Sequence, residues 1–550
     1  MDRRNSALSL PISATILFCQ QDCRQSGATM PATTTISLSG NAYIDGVLGD
    51  TRWATNSFTY SFPGNGSYYG SGYGFGETSD NFGALSATQQ ATARAVLGMY
   101  AAVANLTFTE VTESGAQHGD IRFARSDAPG TAWAYFPNTA GEGGDIWFNN
   151  SSGYYNNPVS GNYAYVTFVH EVGHALGLDH AQEGNAVPVA RDSMEYTVMS
   201  YRSYVEASTS SGYTNETWGY AQSLMLYDVA AVQYLYGANF STNADNTTYS
   251  WSATSGEMFV NGAGQGAPGG NRVFQTVWDG GGVDTYDFSN YSAALTVSLV
   301  PGEWTTTGTT QLARLHWDGS QIAAGNIANA LLYNDDARSL IENVRGGSGN
   351  DVIVGNRASN MLWGNGGNDL LDGREGTDSA AYSGLSADYR WWQNADGSYS
   401  IADLRPGSPD GTDRLLSIDT LVFQDTNVHL VDQSRAVAVV DTADTYAWTQ
   451  AISTCDQMGA LDHVAIRNDD GRSFFTDHDR NSMFIWREAV SSDDAQNTLA
   501  YVSITSDDRA DVLADHAHTS NVSDGIHYDN AGDQLLTSVI AYDDDRILVV

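Results

Sequence analysis

Residues 170–180 read His-Glu-Val-Gly-His-Ala-Leu-Gly-Leu-Asp-His. On a helix, side chains four apart share a face, so His170 and His174 project together at a spacing suited to two ligands of one tetrahedrally bound zinc ion. Glu171 lies beside them, near enough to reach water at such an ion without being a ligand. Gly177 can end the helix in a backbone conformation that a residue with a side chain resists, which turns the chain so that His180 becomes the third ligand. Three neutral imidazoles leave a position for water, whose pKa a divalent ion lowers toward neutrality. The chemistry implied is metal-assisted hydrolysis with Glu171 as the base, and histidines that merely cap or pack would not need so extended a pattern.

A second set of chemistry-bearing residues recurs every nine positions. From Gly346 the chain reads GGSGNDVIV, GNRASNMLW, GNGGNDLLD and GREGTDSAA, and DGGGVDTYD from Asp279 is a cousin. Glycine opens the units at Gly346, Gly355, Gly364 and Gly373. The sixth position holds Asp351, Asn360, Asp369 and Asp378, and the eighth Ile353, Leu362, Leu371 and Ala380. This is the period of a calcium-binding parallel β-roll. Asp351, Asp369 and Asp378 would supply hard oxygens. Gly346, Gly347, Gly349, Gly364, Gly366 and Gly367 would permit positive-φ turns that bare carbonyl oxygens to several structural Ca2+ ions, while the eighth-position residues face inward. A flexible Asn/Gly linker has no reason to keep a nine-residue apolar phase.

Short elements must hold the histidines in place. Ser86-Ala-Thr-Gln89 is a capping box, and Val96, Leu97, Tyr100 and Val103 recur at helical spacing, predicting a helix over 87–104. A second helix is expected over 164–176, stopped by Gly177, and a third over 223–236, stopped by Gly237. Runs at 120–124, 131–136 and 145–148 read as strands between Gly/Pro/Asn turns.

The whole chain has 550 residues, enough for three or four domains at roughly 100–200 residues each. Its 25 basic residues, all arginine, stand against 64 acidic ones, a formal charge of −39 that disfavours nucleic acid and anionic lipid and favours a cation as partner. Only Cys19, Cys23 and Cys455 occur, so no disulfide framework holds the chain together and metal ions are the substitute staple. No apolar run is long enough to span a bilayer. Residues 7–18, after Arg3 and Arg4, have the charged and apolar parts of a secretory signal, but Pro11 interrupts them and no small-residue cleavage site follows.

The extended histidine pattern is that of the metzincins, and Tyr196-Thr-Val-Met199-Ser-Tyr201 is similar to their Met-turn. Over about residues 40–430 the chain resembles the serralysins, secreted bacterial zinc metalloproteases of that clan. Residues 43–49 (YIDGVLG), 53–62 (WATNSFTYSF), 225–237 (MLYDVAAVQYLYG) and 278–289 (WDGGGVDTYDFS) carry the likeness together with the nonapeptides. The resemblance implies an α+β metzincin catalytic domain followed by an all-β parallel β-roll domain, with an additional acidic, β-rich C-terminal domain that has no counterpart we can name. The expected boundaries are a leader at 1–38, the zinc-protease domain at 39–240, the roll at 241–432 and the terminal domain at 433–550.

By the same resemblance His170, His174 and His180 bind one catalytic zinc, Glu171 is the base and Tyr201 is a switchable tyrosine that moves to stabilise the transition state. Met199 lies beneath the site. Protein or peptide substrates would lie extended along Thr131, Ala132, Trp133, Ala134 and Tyr135, since an edge strand recruits extended peptides through backbone hydrogen bonds. Secretion to the extracellular space by a type I machine is implied by the ending Asp543-Asp-Asp-Arg-Ile-Leu-Val-Val550, for which a plain terminal strand is the alternative. A monomer is expected. Ala181 stands where many relatives have proline, which alters the exit loop but removes no ligand. Cys23 could block the zinc as a thiolate. The competing function is a calcium-dependent adhesin with a vestigial zinc domain, which would call for a lost ligand or base.

Overall fold

The computed structural model describes residues 30–114 and 117–430, and beyond them the backbone of seven strands between 437 and 549. Cys23 and most of the expected leader lie outside the described residues. The chain divides into two compact units. One reaches Val428 and holds both the histidine motif and the nonapeptides; the other comprises Asn394–Gly397 and the chain from His429 onward.

The first half of the larger unit is a twisted sheet against helices. Its strands run in the order Thr107–Glu110, Ser57–Ser61, Ile121–Ser126, Ile146–Asn149 and Ala132–Ala134, with Gly83–Ala84 pairing off the path. The first four are parallel; Ala132–Ala134 is antiparallel to its neighbour and lies at the edge. The helix Ala87–Val103 starts at the capping box, where Ser86 Oγ accepts from Gln89 N and Gln89 Oε1 accepts from Ser86 N. It buries Ala93, Val96, Leu97 and Tyr100 completely or nearly so, and the Tyr100 hydroxyl donates to Val169 O at 2.9 Å, tying it to the next helix.

That next helix, Tyr163–Ala175, is buried on every residue from Val166 to Ala175. It runs through the core rather than over it, so its polar residues are costly there unless they bind or react. Gly177 follows with φ +102°, and a Cβ at this position would lie 2.7 Å from Thr51 O. Glycine is required on both counts. The third helix, Leu226–Tyr236, begins three residues later than its sequence suggests, because Asp228 reaches back to accept from Met225 N at 2.8 Å and fixes the start there.

Beyond it the strands are short and mostly parallel. Asn343–Arg345, Met361–Trp363 and Ser379–Ala381 join one sheet, while Val352–Val354 and Leu370–Asp372 join another. Successive nonapeptides thus alternate between two sheets, each pairing in parallel with the strand eighteen residues on. The eighth-position residues Ile353, Leu362, Leu371 and Ala380 are fully buried.

One expectation is corrected here. Of the six glycines expected in positive-φ turns only Gly367 has one, joined by Gly376, both at the fourth position; the opening glycines and Gly347, Gly349 and Gly366 have none. The opening position needs glycine for space. A Cβ on Gly346 would lie 2.7 Å from both Asp351 Oδ2, in its own unit, and Gly364 O, on the next rung of the same sheet. Among the residues beyond 436, five strands form a sheet in the order Val437–Thr442, His463–Asn468, Ser473–Asp477, Ser482–Glu488 and Leu499–Thr505, and Ile540–Asp543 pairs antiparallel with Arg546–Val549.

Candidate active site

His170 and His174 stand on the buried helix, and His180 arrives from the turn after Gly177. His174 Nε2 is 3.0 Å from His170 Nε2 and 2.9 Å from His180 Nε2. The opposite nitrogens of the first two rings face carbonyl oxygens, His170 Nδ1 at 2.8 Å from Val198 O and His174 Nδ1 at 2.8 Å from Leu178 O. A carbonyl only accepts, so both Nδ1 atoms carry the proton and the Nε2 lone pairs are turned toward one another. Such an arrangement is repulsive without a cation between the nitrogens and suits one with it. Tetrahedral zinc with bonds of 2.0–2.1 Å sets its nitrogens roughly 3.3 Å apart, so the rings need part by only a few tenths of an ångström. Burial pushes His170 down to about 3 and His174 well below the usual imidazole range, which keeps them in the neutral, ligating form.

The floor of the site is the turn around Met199. Met199 is fully buried, and a Cβ on Gly173 would lie 2.8 Å from its Sδ, so the helix rests on it closely. Asp228 holds this turn. Its carboxylate accepts from Thr197 Oγ1 at 2.5 Å and Val198 N at 2.8 Å, besides Met225 N, and burial raises its pKa to about 6. Since Val198 O is the acceptor for His170, Asp228 orients that ring at one remove. The sequence shows Asp228 as an acidic residue in a helix's first turn, which gives no hint of this partner. The Phe136 and His174 rings meet edge to face, centroids 5.1 Å apart, a contact that no sequence spacing announces.

Tyr201 brings its hydroxyl to 2.7 Å from His180 Nε2, the same nitrogen that faces the other two imidazoles. Glu171 is buried and lines the cleft beside His170, together with Thr131, Val198, Tyr201 and Tyr213. Tyr213 is fixed there by donating to Ser200 O at 2.7 Å. A larger cavity of about 1010 Å³, near Tyr234, Tyr333, Arg357 and Arg374, contains none of the histidines.

Thr131 thus sits in the cleft at the head of the edge strand. Trp133 pairs with Trp147, Asn149 N donates to Thr131 O, and Tyr135 N donates to Asp145 O. Residues 131, 133 and 135 therefore bond inward, and the antiparallel alternation directs the N–H and C=O of Ala132 and Ala134 away from the sheet.

In the nonapeptides, each sixth-position carboxylate bonds to main chain. Asp351 accepts from Leu295 N and Gly347 N, Asp369 from Asp351 N, and Asp378 from Asn360 N. The second oxygens of Asp369 and Asp378 are buried without a hydrogen-bond partner. Burial raises both groups to about 7. A hard divalent cation satisfies such oxygens, and the donor set fits calcium.

Two family models match the chain: Matrixin over residues 73–197 and Peptidase M10 serralysin C terminal over residues 238–441. The chain is 32% identical to the Metallopeptidase AprA of Pseudomonas marginalis over 295 residues, 51% of this chain and 57% of that one. It is 32% identical to the Metalloprotease AprA of Pseudomonas entomophila (strain L48) over 320 residues, 56% and 60% of the two chains. Serralysin G of Dickeya chrysanthemi is 32% identical over 303 residues, 52% and 57%. The aligned part spans less than two thirds of the length of these relatives.

Proposed function

We infer from these matches that the chain is a serralysin-like metzincin, and from that premise we propose that it is a secreted zinc-dependent endopeptidase. The observation that carries the reading is the convergence of three histidine Nε2 atoms beside a buried glutamate. His170, His174 and His180 would hold a zinc ion, which would supply Lewis acidity and a lowered pKa for water. The chain's own groups do the rest. Ala132 and Ala134 pair with the backbone of an extended substrate, flanked by Thr131, Trp133 and Tyr135. Glu171 takes the proton of the attacking water and returns it to the leaving amine. Tyr201 leaves His180 and donates its hydroxyl hydrogen bond to the oxygen on which negative charge develops.

Glu171→Ala tests this: the variant is expected to keep one zinc per chain and its melting temperature while losing casein hydrolysis. Hydrolysis at the wild-type rate would remove Glu171 from the reaction. The adhesin reading has no matching observation, since neither a histidine ligand nor the base is missing.

Residues 241–432 are read as a calcium-loaded parallel β-roll, with Asp351, Asp369 and Asp378 and the turns at Gly346, Gly347, Gly349, Gly364, Gly366 and Gly367 as ligands. An unfolded, calcium-poor roll can be threaded through a type I channel and fold on meeting external calcium, which couples export to metal binding. Removing residues 547–550 is then expected to leave active enzyme inside the cell. Continued export would place the signal elsewhere.

A further inference from the structure

Two of the three histidines are oriented by the main chain, through Val198 O and Leu178 O. The third differs. His180 Nδ1 lies at ion-pair distance from Glu183 Oε1, 3.3 Å, and among the described residues the other acid near it, Asp179 at 4.0 Å, is already accepting from His180 N at 2.7 Å. The turn sets Glu183 over the ring: Glu183 N donates to His180 O at 3.0 Å, and Ala186 N donates to Glu183 O at 2.9 Å. At the far side of the imidazole, the Tyr201 hydroxyl lies 2.7 Å from Nε2. When Nε2 serves as the metal ligand its lone pair is committed there, which puts the ring proton on Nδ1, toward Glu183.

We propose that Glu183 is a positioning residue for the third zinc ligand: its carboxylate accepts the His180 Nδ1 proton, fixes the ring's tautomer and angle, and makes Nε2 a stronger donor to the metal. The inference rests on the zinc reading above and goes beyond it in separating the third ligand from the other two. The Glu183 side chain is 57% exposed, so removing it leaves no buried void or unpaired core group.

The test uses the full chain, stripped of metal, resupplied with calcium and titrated with zinc against a competing fluorescent chelator. Glu183→Ala is expected to raise the zinc Kd about 10–100-fold, with Glu183→Gln intermediate because its amide oxygen still accepts, and with zinc-free melting temperatures unchanged. Cobalt in place of zinc is expected to show a shifted ligand-field band in Glu183→Ala. Equal zinc Kd values and identical cobalt spectra for all three proteins would overturn the inference. So would equal losses in both variants accompanied by a fall in zinc-free melting temperature, the mark of a merely structural role. A wild-type chain that takes up no zinc would overturn the zinc reading itself, whereas zinc uptake indifferent to Glu183 would sink the positioning role alone.

Discussion

His170 and His174 in the first half of the larger unit, and Asp369 and Asp378 in its nonapeptides, are all ionisable groups taken out of water, yet burial prepares them differently. It drives the imidazoles down, to about 3 for His170, and so holds them in the form that binds a metal. It drives the two carboxylates up to about 7, toward the protonated form that does not. The histidine centre is also braced by groups distant in sequence, Val198 and behind it Asp228, whereas Asp369 and Asp378 are each braced by a main-chain N–H of the neighbouring rung. The histidine centre is therefore oriented by hydrogen bonds from the protein's own main chain. The repeat carboxylates, by contrast, bring together charge that a hard cation would settle.

Separate removal of the two metals is the hardest test of that difference. Chelating calcium is expected to lower the melting temperature and open residues 340–385 to proteolysis, a bound ion at a hundredfold excess over its Kd contributing about 2.7 kcal/mol per site. Selective zinc removal is expected to cost only the binding term of its single site and to leave residues 340–385 resistant to proteolysis. Equal losses for the two metals would erase the contrast. At the histidine centre, Tyr201→Phe removes one donor to the transition state, and kcat is expected to fall about 10²–10³-fold with zinc content intact; an unchanged kcat would place Tyr201 outside the mechanism.

Asp228→Asn keeps one acceptor oxygen where the carboxylate uses two, Oδ2 for Val198 N and Met225 N and Oδ1 for Thr197 Oγ1, so the turn loses at least one of these bonds. A loss of about 1–3 kcal/mol in chemical denaturation is expected, with weaker zinc binding through the loosened Val198 carbonyl. Stability and zinc affinity equal to wild type would mean that the turn stands without it.

The smallest expected effect is in pH. Asp369 and Asp378 are raised when folded, so between about pH 4 and about pH 7 the folded calcium-free repeat binds more protons than the unfolded chain. Its stability is then fully present below the unfolded carboxylate pKa and falls as pH rises through about 7. Calcium-free protein is accordingly expected to melt higher at pH 5 than at pH 8, and Asp369→Asn with Asp378→Asn should flatten the slope. A slope of the opposite sign would contradict the burial argument.

The legible parts of this molecule are those whose geometry is local. The spacing of His170 and His174, the stop at Gly177 and the nine-residue phase of Ile353, Leu362 and Leu371 each follow from one element's own periodicity, and the helix Ala87–Val103 follows from its capping box. What could not be read depends on distances across the fold. Asp228 reaches the Met199 turn from a helix some thirty residues on, and Phe136 reaches His174 from the edge-strand side. The opening glycines of the repeat were legible as a pattern but not as a cause, because the carbonyl that excludes a Cβ at Gly346 belongs to Gly364, on the next rung. Even Glu183, three residues from His180, acquires a role only once the turn folds it back over the ring.

The most direct measurement is casein hydrolysis by metal-free, calcium-resupplied protein titrated with zinc, run in parallel for wild type and Glu171→Ala. Wild-type activity is expected to rise in proportion to zinc and to level at one ion per chain, while Glu171→Ala binds the same single ion and stays inactive. Hydrolysis that proceeds without zinc, or that appears equally in both proteins, would contradict a zinc endopeptidase built on His170, His174, His180 and Glu171.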